Sequence, residues 1–359
     1  MVLPRLRILN HLAAALALLL AANTAFAEQK PAQDTAAACA TCHASQAQTQ
    51  IHTPMGRALQ LPGTDQVLNS HPRLTFQKFG FTYLVETKNG QSAYSVSDGT
   101  RTITLPILWS FGNDAQTWMF ERDGVYYESL VSYYPSVGGL QITTGDSEIT
   151  PTTLEQAVGR RLPPNEPKAC FGCHTTGAVV DGKLDLSSFE PGVTCEHCHA
   201  GASSHMVAAY QGHGMETAPP DLGKLTSEDL SNFCGQCHRS WEAVIRDGFR
   251  GPINVRFAPY RLANSKCFSG TDPRISCIAC HDPHKNLVTD TGSYDVKCLA
   301  CHAVKGAVAV HNSPAAKACP VATNNCASCH MPQVKMPNGL TAFHDHLIRI
   351  VKPGMPYPD

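Results

Sequence analysis

The sequence is poor in aromatic residues, and this limits the hydrophobic core that the polypeptide can build by itself. Only 7% of its 359 residues are Phe, Tyr or Trp, whereas 27 are Gly and 25 are Pro. Aromatic side chains bury the largest apolar areas in protein cores. We therefore expect short helices and long ordered loops that pack on some additional apolar group, with less regular structure than an average domain contains.

An excess of positive charge is also missing. The chain has 28 Lys and Arg residues against 29 Asp and Glu residues, a formal net charge of −1. Proteins that bind nucleic acids normally present a basic patch or stripe to the phosphates. We therefore expect no nucleic-acid partner.

Long apolar runs are absent after the first 27 residues. Those residues combine Arg5 and Arg7, an apolar run over 12–22 and the small-residue site Ala25-Phe26-Ala27, which together predict a cleaved secretory signal peptide. The rival interpretation, a membrane anchor, needs about 20 apolar residues. No cysteine stands at the cleavage site, so a lipoprotein is not expected. The mature chain is predicted to begin near Glu28, to lack a transmembrane segment and to be periplasmic or extracellular.

Cysteine is abundant, with 16 residues, and 14 of them form one repeated pattern, Cys-x-x-Cys-His. Two cysteines three residues apart form thioethers with the vinyl groups of haem, and the histidine that follows binds the iron as its proximal ligand. The seven copies, each with its two attachment cysteines and its proximal histidine, are Cys39/Cys42/His43, Cys170/Cys173/His174, Cys195/Cys198/His199, Cys234/Cys237/His238, Cys277/Cys280/His281, Cys298/Cys301/His302 and Cys326/Cys329/His330.

Two other chemistries use paired cysteines. Zinc ribbons do not need a histidine after each pair, and a redox-active Cys-x-x-Cys normally occurs once in a chain. Seven repeats with the histidine always in the same place favour seven covalently attached haems c.

The motifs are unevenly spaced, and the gap between the first and the second predicts a domain boundary. Within it, alternating apolar residues and the turn pairs Asn89-Gly90, Asp98-Gly99 and Asp123-Gly124 indicate β-hairpins. We predict an N-terminal segment with the first haem (28–73), a small antiparallel β insert (74–150) and a six-haem domain (151–359). The insert is expected to cover a haem face or present a partner surface, or to be only a structural spacer.

Two helix starts are indicated by capping boxes. Thr152 with Glu155 predicts a short helix that ends at Pro163-Pro164. Thr226 with Asp229 predicts a helix that leads into the fourth motif. Both boxes position the segments after them and carry no chemistry themselves.

Cys267 and Cys319 lie outside the seven motifs. Spare cysteines in exported proteins tend to pair. A disulfide between them is therefore predicted, and the alternative is two buried thiols.

Histidines are numerous enough to supply a second axial ligand to the irons. Of 17 histidines, seven are proximal, His11 belongs to the signal peptide and His197 lies inside the third motif, where we expect a surface residue. The remaining eight candidates for seven positions are His52, His71, His205, His213, His284, His311, His344 and His346.

These candidates differ in their positions along the chain. His205 and His284 follow their motifs so closely that they are expected to bind a neighbouring haem instead of their own. His52 and one of the pair His344 and His346 come next, with His344 preferred, whereas His71, His213 and His311 are weaker. Met55, three residues after His52, is a competing ligand that would raise the potential of its haem.

The segments "CEHCHAGASSH", "CIACHDPHK" with "KCLACH", and "CASCHMPQVKMPNGLTAFHDHLIRI" resemble the multihaem cytochromes of the cytochrome c-554/c-prime family, relatives of hydroxylamine oxidoreductase and the pentahaem nitrite reductases. The resemblance covers residues 39–57 and about 166–351. It implies stacked haems, bis-histidine irons and distal roles for His205, His284 and one of His344 and His346. The chain departs from the pattern at Ala200, where Gly is usual, and it lacks the Cys-x-x-Cys-Lys site typical of the nitrite reductases.

Three functions remain open at this point. The favoured one is an electron carrier, not an enzyme, that moves single electrons between redox partners such as other cytochromes or a membrane quinol-oxidising complex. The alternative is a reductase or oxidase of a small nitrogen or sulfur compound at one five-coordinate haem. The third is a docking or structural subunit of a larger assembly, since the chain could also form oligomers.

Overall fold

The computed structural model describes residues 35–302, 319–337 and 339–359. The predicted signal peptide and His311 lie outside these ranges. The α-helices are Thr35–Ala40, Ala44–Gln50, Gln66–Ser70, Leu154–Val158, Glu166–His174, Cys195–Cys198, Ala202–Tyr210, Ser227–His238, Trp241–Asp247, Ala258–Ala263, Cys277–Cys280, Asp295–His302 and Cys326–His330. Single 3-10 turns are Gly214–Thr217, Leu222–Lys224, Gly251–Arg256 and Thr291–Tyr294.

The strands between the first two motifs form a β unit, which we define as residues 59–161. It contains a four-stranded antiparallel sheet in sequence order, Arg73–Lys78, Phe81–Lys88, Gln91–Ser97 and Thr102–Pro106. A five-stranded antiparallel sheet has the order Leu59–Gln60, Trp109–Phe111, Thr117–Arg122, Val125–Ser129 and Gly159–Arg161. Val131–Tyr134 pairs with Gly139–Ile142.

Short strand pairs complete the sheet structure after the β unit. Thr175–Thr176 pairs with Glu190–Pro191, and Val179–Val180 pairs with Lys183–Leu184. Near the C-terminus, Gln333–Lys335 pairs with Ala342–His344. The expected combination of short helices and small antiparallel sheets is therefore confirmed, since the longest helix of the described chain, Ser227–His238, has only 12 residues.

The hairpin turns follow the sequence signals closely. Asn89 and Gly90 have φ of 52° and 75°, and Asp123 and Gly124 have 54° and 73°, as tight hairpin turns require. The Asp98 carboxylate accepts hydrogen bonds from the backbone N–H groups of Thr100 and Arg101. The sequence does not indicate the turn at Phe79-Gly80. Phe79 has φ of 54° there, a left-handed conformation that is uncommon for phenylalanine.

The β unit has the main hydrophobic core of the described chain. Side chains of Phe81–Lys88 alternate between buried and partly exposed, which sends Tyr83 and Val85 inward to meet Tyr94, Trp118 and Phe120. A second cluster, containing Leu59, Trp109, Met119, Leu162, Phe171, Ala178 and Phe189, joins this unit to the helix that carries the second motif. The third cluster is small and consists of Val244, Phe257 and Tyr260.

Both predicted helix starts exist, one of them shifted by a residue. Thr226 caps Ser227–His238 and accepts from the N–H of Asp229 at 3.1 Å, as predicted. The helix Leu154–Val158 is capped by Thr153, not Thr152, because the side chain of Thr153 accepts from Gln156 N–H. The Gln156 carboxamide then accepts from Thr152 N–H at 2.9 Å, so the reciprocal bond comes from Gln156 and not from Glu155.

Candidate haem sites

Each motif is folded into one tight turn that brings its three functional side chains together. In the first, third and fifth motifs, the histidine N–H donates to the carbonyl of the first cysteine at 2.9 Å. The second, fourth, sixth and seventh motifs lie inside helices that end at the histidine. Residues three and four apart on a helical turn share a face. Both thiols and the imidazole of a motif can therefore contact one porphyrin.

The fourteen attachment cysteines differ in burial, although the sequence treats them as equivalent. Cys42, Cys280 and Cys329 are exposed, whereas the other eleven are partly buried. Each of the three is the second cysteine of its motif and lies on the outer side of its turn, where the described polypeptide does not cover it. The Cys42 N–H donates to the Cys39 carbonyl at 3.2 Å, and the Cys329 sulfur lies 3.9 Å from the Ser328 hydroxyl.

In the first, fifth and seventh motifs the second cysteine is exposed, a difference that the sequence does not indicate. In the first and seventh motifs, only the first cysteine, Cys39 or Cys326, is packed by the chain. Its neighbours are thiols of other motifs, which come from elsewhere in the sequence. Thioether formation requires a thiol that the haem vinyl group can reach, so exposure suits attachment. The attachment roles of Cys42 and Cys329 stay predictions.

Two proximal histidines are held in the tautomer that suits iron binding. His174 Nδ1 lies 2.9 Å from the carbonyl oxygen of Ala58, and His330 Nδ1 lies 2.9 Å from that of Arg349. A ring that donates its Nδ1 proton to a carbonyl keeps the lone pair of Nε2 for a metal. Burial lowers the pKa of His174, which favours the neutral ligand form.

Three motif histidines each face a histidine from another part of the chain. The ring centroids lie 6.4 Å apart for His43 and His205, 6.1 Å for His199 and His284, and 6.2 Å for His281 and His346. Two imidazoles bound to one metal have centroids about 6.2 Å apart, because each metal–nitrogen bond is about 2.0 Å long and each nitrogen lies about 1.1 Å from its ring centre. The three separations therefore match the spacing of two axial ligands on one iron.

The second member of each pair has its Nδ1 occupied. His205 Nδ1 lies 2.8 Å from the carbonyl of Gly214, His346 Nδ1 lies 3.0 Å from the carbonyl of His344, and His284 Nδ1 lies 3.3 Å from the Asp282 carboxylate. All three arrangements leave Nε2 available. These rings are thus prepared for iron ligation in the same way as His174 and His330.

His344 and His346 have different surroundings, and the geometry favours His346 as the ligand. Burial and the neighbouring His281 lower the pKa of His346 to about 4. His344 has both ring nitrogens engaged, with Nδ1 2.7 Å from the carbonyl of Met331 and Nε2 3.2 Å from the amide nitrogen of Gln333. The geometry therefore favours His346 over the preferred His344, and the ligand role of either stays a prediction, since nothing in the sequence separates two histidines two residues apart.

Asp345, between these histidines, was not identified from the sequence. Its side chain is fully buried and pairs with Arg261, from Nε to Oδ1 at 2.8 Å and from Nη2 to Oδ2 at 2.9 Å. Arg349 contacts the same carboxylate at 2.5 Å. A charged residue inside the apolar stretch "AFHDHLIRI" was the available signal, since a buried charge needs a partner.

The remaining histidine candidates do not face a motif histidine in the described parts of the chain. His71 lies against the core of the β unit, with Nδ1 3.0 Å from the carbonyl of Val67 and Nε2 3.2 Å from the hydroxyl of Tyr133. His52 is exposed, and His213 is exposed beside Glu216. The ligand roles of His52 and His213 therefore stay predictions, and so does that of His311, which lies outside the described residues. His71 differs from them, because both of its ring nitrogens are engaged.

His197 was expected at the surface and Met55 as a competing ligand, and only His197 differs from its expectation. His197 is half-buried and its Nε2 lies 3.9 Å from the sulfur of Cys237, so it packs between the third and fourth motifs and is not a free surface residue. Met55 is half-buried, and its carbonyl accepts from the N–H groups of Ala58 and Val193. Its role as a competing ligand stays a prediction.

Thiols of different motifs contact each other in a defined order. Cys39 of the first motif interacts with Cys195 of the third, and Cys298 of the sixth interacts with Cys326 of the seventh. Electrostatic effects between cysteines connect the third motif with the fourth and the fifth with the sixth. These electrostatic neighbours link the motifs in the series one, three, four, five, six and seven.

The fourth motif has two thiol contacts, one of which leads to the second motif. Cys234 interacts with Cys277 of the fifth motif, and Cys237 interacts with Cys173 of the second. The Cys237 contact lowers the pKa of Cys173 to about 7, against the effect of burial and with a smaller contribution from Arg239. The second motif therefore lies beside the fourth, where the Cys173 sulfur is 4.0 Å from the carbonyl oxygen of Gln236.

Cys267 and Cys319 are free thiols in this structure. Burial, followed by smaller effects that include Cys298 and Cys301, raises the pKa of Cys267, whereas Cys319 is exposed. Their disulfide stays a prediction.

The motif region has the apolar surface that porphyrins would cover. Its own core is the small cluster around Val244, whereas large apolar side chains are exposed along it. Of these, Val207, Tyr210, Met215, Leu287, Val288 and Val296 are each more than half exposed. Such a surface is unusual for a folded protein unless something binds to it. The residues present therefore fit haem.

The repeated turns, the facing imidazoles and the uncovered apolar surface are the features expected of a multihaem c-type cytochrome. Residues 147–200, which contain the second and third motifs, match the family described as cytochrome c554 and c-prime. The resemblance seen in the sequence is thereby confirmed for this part of the chain. The wider relation to hydroxylamine oxidoreductase and the nitrite reductases stays a prediction.

Similarity to solved and curated proteins is limited. The crystal structure of the outer cell wall cytochrome OcwA is similar to this chain at 19% identity with a TM-score of 0.32, covering 56% of this chain and 36% of OcwA. The present chain thus matches well under half of the length of that protein. No curated protein matches the chain.

Two further features are absent from residues 35–302, 319–337 and 339–359. Every helix in these ranges is too short or too polar to traverse a bilayer. No three His, Cys, Asp or Glu side chains in them converge as a site for a lone metal ion.

Proposed function

We propose that this chain is an exported, periplasmic or extracellular heptahaem cytochrome that passes single electrons between redox partners through closely packed, mostly bis-histidine haems. Haem, when bound, supplies a one-electron ferric/ferrous couple. The chain supplies the attachment cysteines, the axial imidazoles and the order of the sites.

The observation that carries this proposal is the set of three imidazole pairs. Each pair joins a motif histidine to a histidine that follows a different motif or the C-terminal strand, namely His43 with His205, His199 with His284 and His281 with His346. An iron with two imidazole ligands has no open position for a substrate, and its coordination changes little between oxidation states. Such sites suit electron transfer better than catalysis.

The contacts between motifs support a path for the electrons. The proposed path follows the series of thiol neighbours, one, three, four, five, six and seven, with the second motif beside the fourth. The imidazole pairs add further links, because His205 joins the first motif to the third and His284 joins the third motif to the fifth. We propose that electrons enter and leave at the first and seventh haems, and that the second haem is a branch.

The exposed thiols agree with this assignment of the two ends, and Cys280 of the fifth motif is exposed as well. Cys42 belongs to the first motif and Cys329 to the seventh, and both are exposed. A haem attached at an exposed thiol has an edge near the protein surface, where a partner can approach it. The ends of the chain of motifs are therefore also places at which electrons can be exchanged.

The charge of the chain supports a basic redox partner. Removal of Arg5 and Arg7 with the signal peptide would leave 26 basic residues against 29 acidic residues. Two propionates on each haem would add further negative charge. We therefore propose partner proteins with a basic docking face, either other cytochromes or a quinol-oxidising complex, whose association would weaken as salt screens the charges.

The mass of the purified holoprotein tests the haem count, and its electron paramagnetic resonance spectrum tests the ligation. We expect a mass that corresponds to seven haems on a chain starting near Glu28, and ferric signals dominated by low-spin iron. Replacing Cys298 and Cys301 by Ala should remove one haem, whereas replacing Cys319 by Ala should remove none. A haem count below seven in the unmodified protein, or mostly high-spin iron, would contradict the proposal.

A further inference from the structure

The β unit contacts the second motif directly, in a way that a spacer would not need. Phe171, on the helix Glu166–His174, is fully buried. Its ring meets Trp109 edge-on at 5.1 Å and Phe111 at 5.4 Å, and both of these belong to the five-stranded sheet. Because His174 follows Phe171 by three residues, the same helix face brings its imidazole to the sheet.

The proximal imidazole is held there by two groups, one at the edge of the β unit and one inside it. His174 Nδ1 lies 2.9 Å from the carbonyl of Ala58, which precedes the edge strand Leu59–Gln60. The same carbonyl accepts from Gly112 N–H at 2.9 Å, so the sheet register fixes its position. The ring of Phe111 lies edge-on to His174 at 5.4 Å.

The other end of this helix is held by an ionic cluster. Arg160, in the last strand of the five-stranded sheet, contacts Glu166 at 2.7 Å and Glu128 at 2.6 Å. Glu166 begins the helix and Glu128 lies in the neighbouring strand. The helix of the second motif is therefore fixed to the β unit at its first and last residues.

The proximal histidines of the fifth and seventh motifs have partners outside the β unit. His330 Nδ1, for example, has the carbonyl of Arg349 as its partner, in the C-terminal segment. His281 Nδ1 lies 3.4 Å from the hydroxyl of Tyr294, in a 3-10 turn. The second motif thus differs from these two motifs in its position beside the fourth motif and in its contacts with the β unit.

We propose that the β unit supports the second haem on the side of its proximal histidine, His174. Ala58 and Phe111 are positioning residues that set the orientation and basicity of His174. They thereby set the reduction potential of this one haem. The proposal rests on the heptahaem function above. A carbonyl that accepts the Nδ1 proton strengthens the imidazole as a ligand, and outer groups of this kind tune a metal site without binding the metal.

Phe111 is the group that can be changed, because a side-chain substitution cannot remove the Ala58 carbonyl. Phe111→Ala should let water reach His174 and free its ring to turn. We expect one midpoint potential and one set of low-spin resonance signals to change, while the others keep their values. Phe111→Leu, which retains most of the apolar volume, should restore the original values in large part.

The matched control is Phe76→Ala, which removes an equally half-buried phenylalanine from the four-stranded sheet, where Phe76 packs on Tyr83. It should lower stability without changing any haem potential. If the Phe111 and Phe76 variants give the same potentials and spectra as each other, or if Phe111→Ala shifts all haems together, the proposed support is wrong. Peptide mass mapping separates the two proposals, because an unmodified Cys170–Cys173 peptide would instead contradict the haem assignment on which this inference depends.

Discussion

Arg261 and Asp345 form a buried two-point ion pair between the helix Ala258–Ala263 and the C-terminal segment. Their side chains are 1% and 0% exposed, and both hydrogen bonds are shorter than 3.0 Å. The guanidinium also lies 4.5 Å above the ring of Tyr357 and donates to the carbonyl of Pro358 at 2.9 Å. Because Asp345 lies between His344 and His346, this pair anchors the segment that carries both imidazoles.

Arg261→Gln should therefore destabilise the protein and loosen His346. Removing one partner of a buried pair leaves an uncompensated charge, which costs about 3–5 kcal/mol. Arg349, which also contacts Asp345, will offset part of it, so we expect about 3 kcal/mol in denaturant unfolding. Arg246→Gln is the control, because Arg246 pairs with Asp247 at the surface, with side chains 70% and 27% exposed. That change should cost below about 1 kcal/mol, and equal losses for both variants would refute the role given to Arg261.

His346→Ala should open one iron, whereas His344→Ala should not. Only His346 lies at the ring spacing expected for the second ligand opposite His281. The ferric spectrum of the His346 variant should gain one high-spin signal, and the reduced protein should bind one equivalent of carbon monoxide. The reverse result would return the ligand role to His344.

Asp146 should make stability depend on pH between about 4 and 6. Burial, followed by the charge of Glu128, raises the pKa of this carboxyl from 3.8 to about 6, although Arg160 lies 3.7 Å away. The folded state therefore binds this proton more tightly than the unfolded state. Its contribution is most favourable below pH 4, is lost as the pH rises to 6 and is absent above that.

Asp146→Asn should accordingly stabilise the protein at pH 7, by on the order of 2 kcal/mol, but not at pH 4. Urea unfolding followed by far-ultraviolet circular dichroism at pH 4, 5 and 7 would measure the difference. Asp114→Asn, at an exposed position of the same β unit, should show no such trend. A constant difference between Asp146→Asn and the parent protein at all three pH values would exclude this explanation.

Gly192→Ala should disrupt the junction between the first and third motif segments. Gly192 has φ of +79°, and a Cβ there would lie 2.0 Å from the carbonyl oxygen of Gly56. Gly182→Ala is a matched control, because Gly182 has φ of +72° and no atom within 4 Å of the added Cβ. Both variants carry the backbone strain of about 1 kcal/mol, but only Gly192→Ala also has the clash. We expect thermal unfolding to show a clearly larger loss for Gly192→Ala, and comparable losses would mean that the junction can shift.

The local features of this protein followed from its sequence. The Cys-x-x-Cys-His turns, the hairpins at Asn89-Gly90 and Asp123-Gly124 and the cap at Thr226 depend on residues close together in the chain. Such features are encoded within one turn of backbone, so the motif alone determines them. The expectation that His205 and His284 serve haems other than their own also came from short spacing, since neither can reach round to the far side of its own haem, and it stays a proposal.

The choice between His344 and His346, by contrast, required the tertiary structure. Both lie in the same local sequence, and they differ in their neighbours: His346 faces His281, from the fifth motif, whereas His344 contacts Met331 and Gln333. The contact between the β unit and His174 has the same origin, because Ala58 and the second motif are distant in the chain and meet only through the five-stranded sheet. Sequence spacing determines which groups can bind haem, whereas long-range packing decides which of them face each other, since burial and charge pairing act between residues that the chain brings together only when it folds.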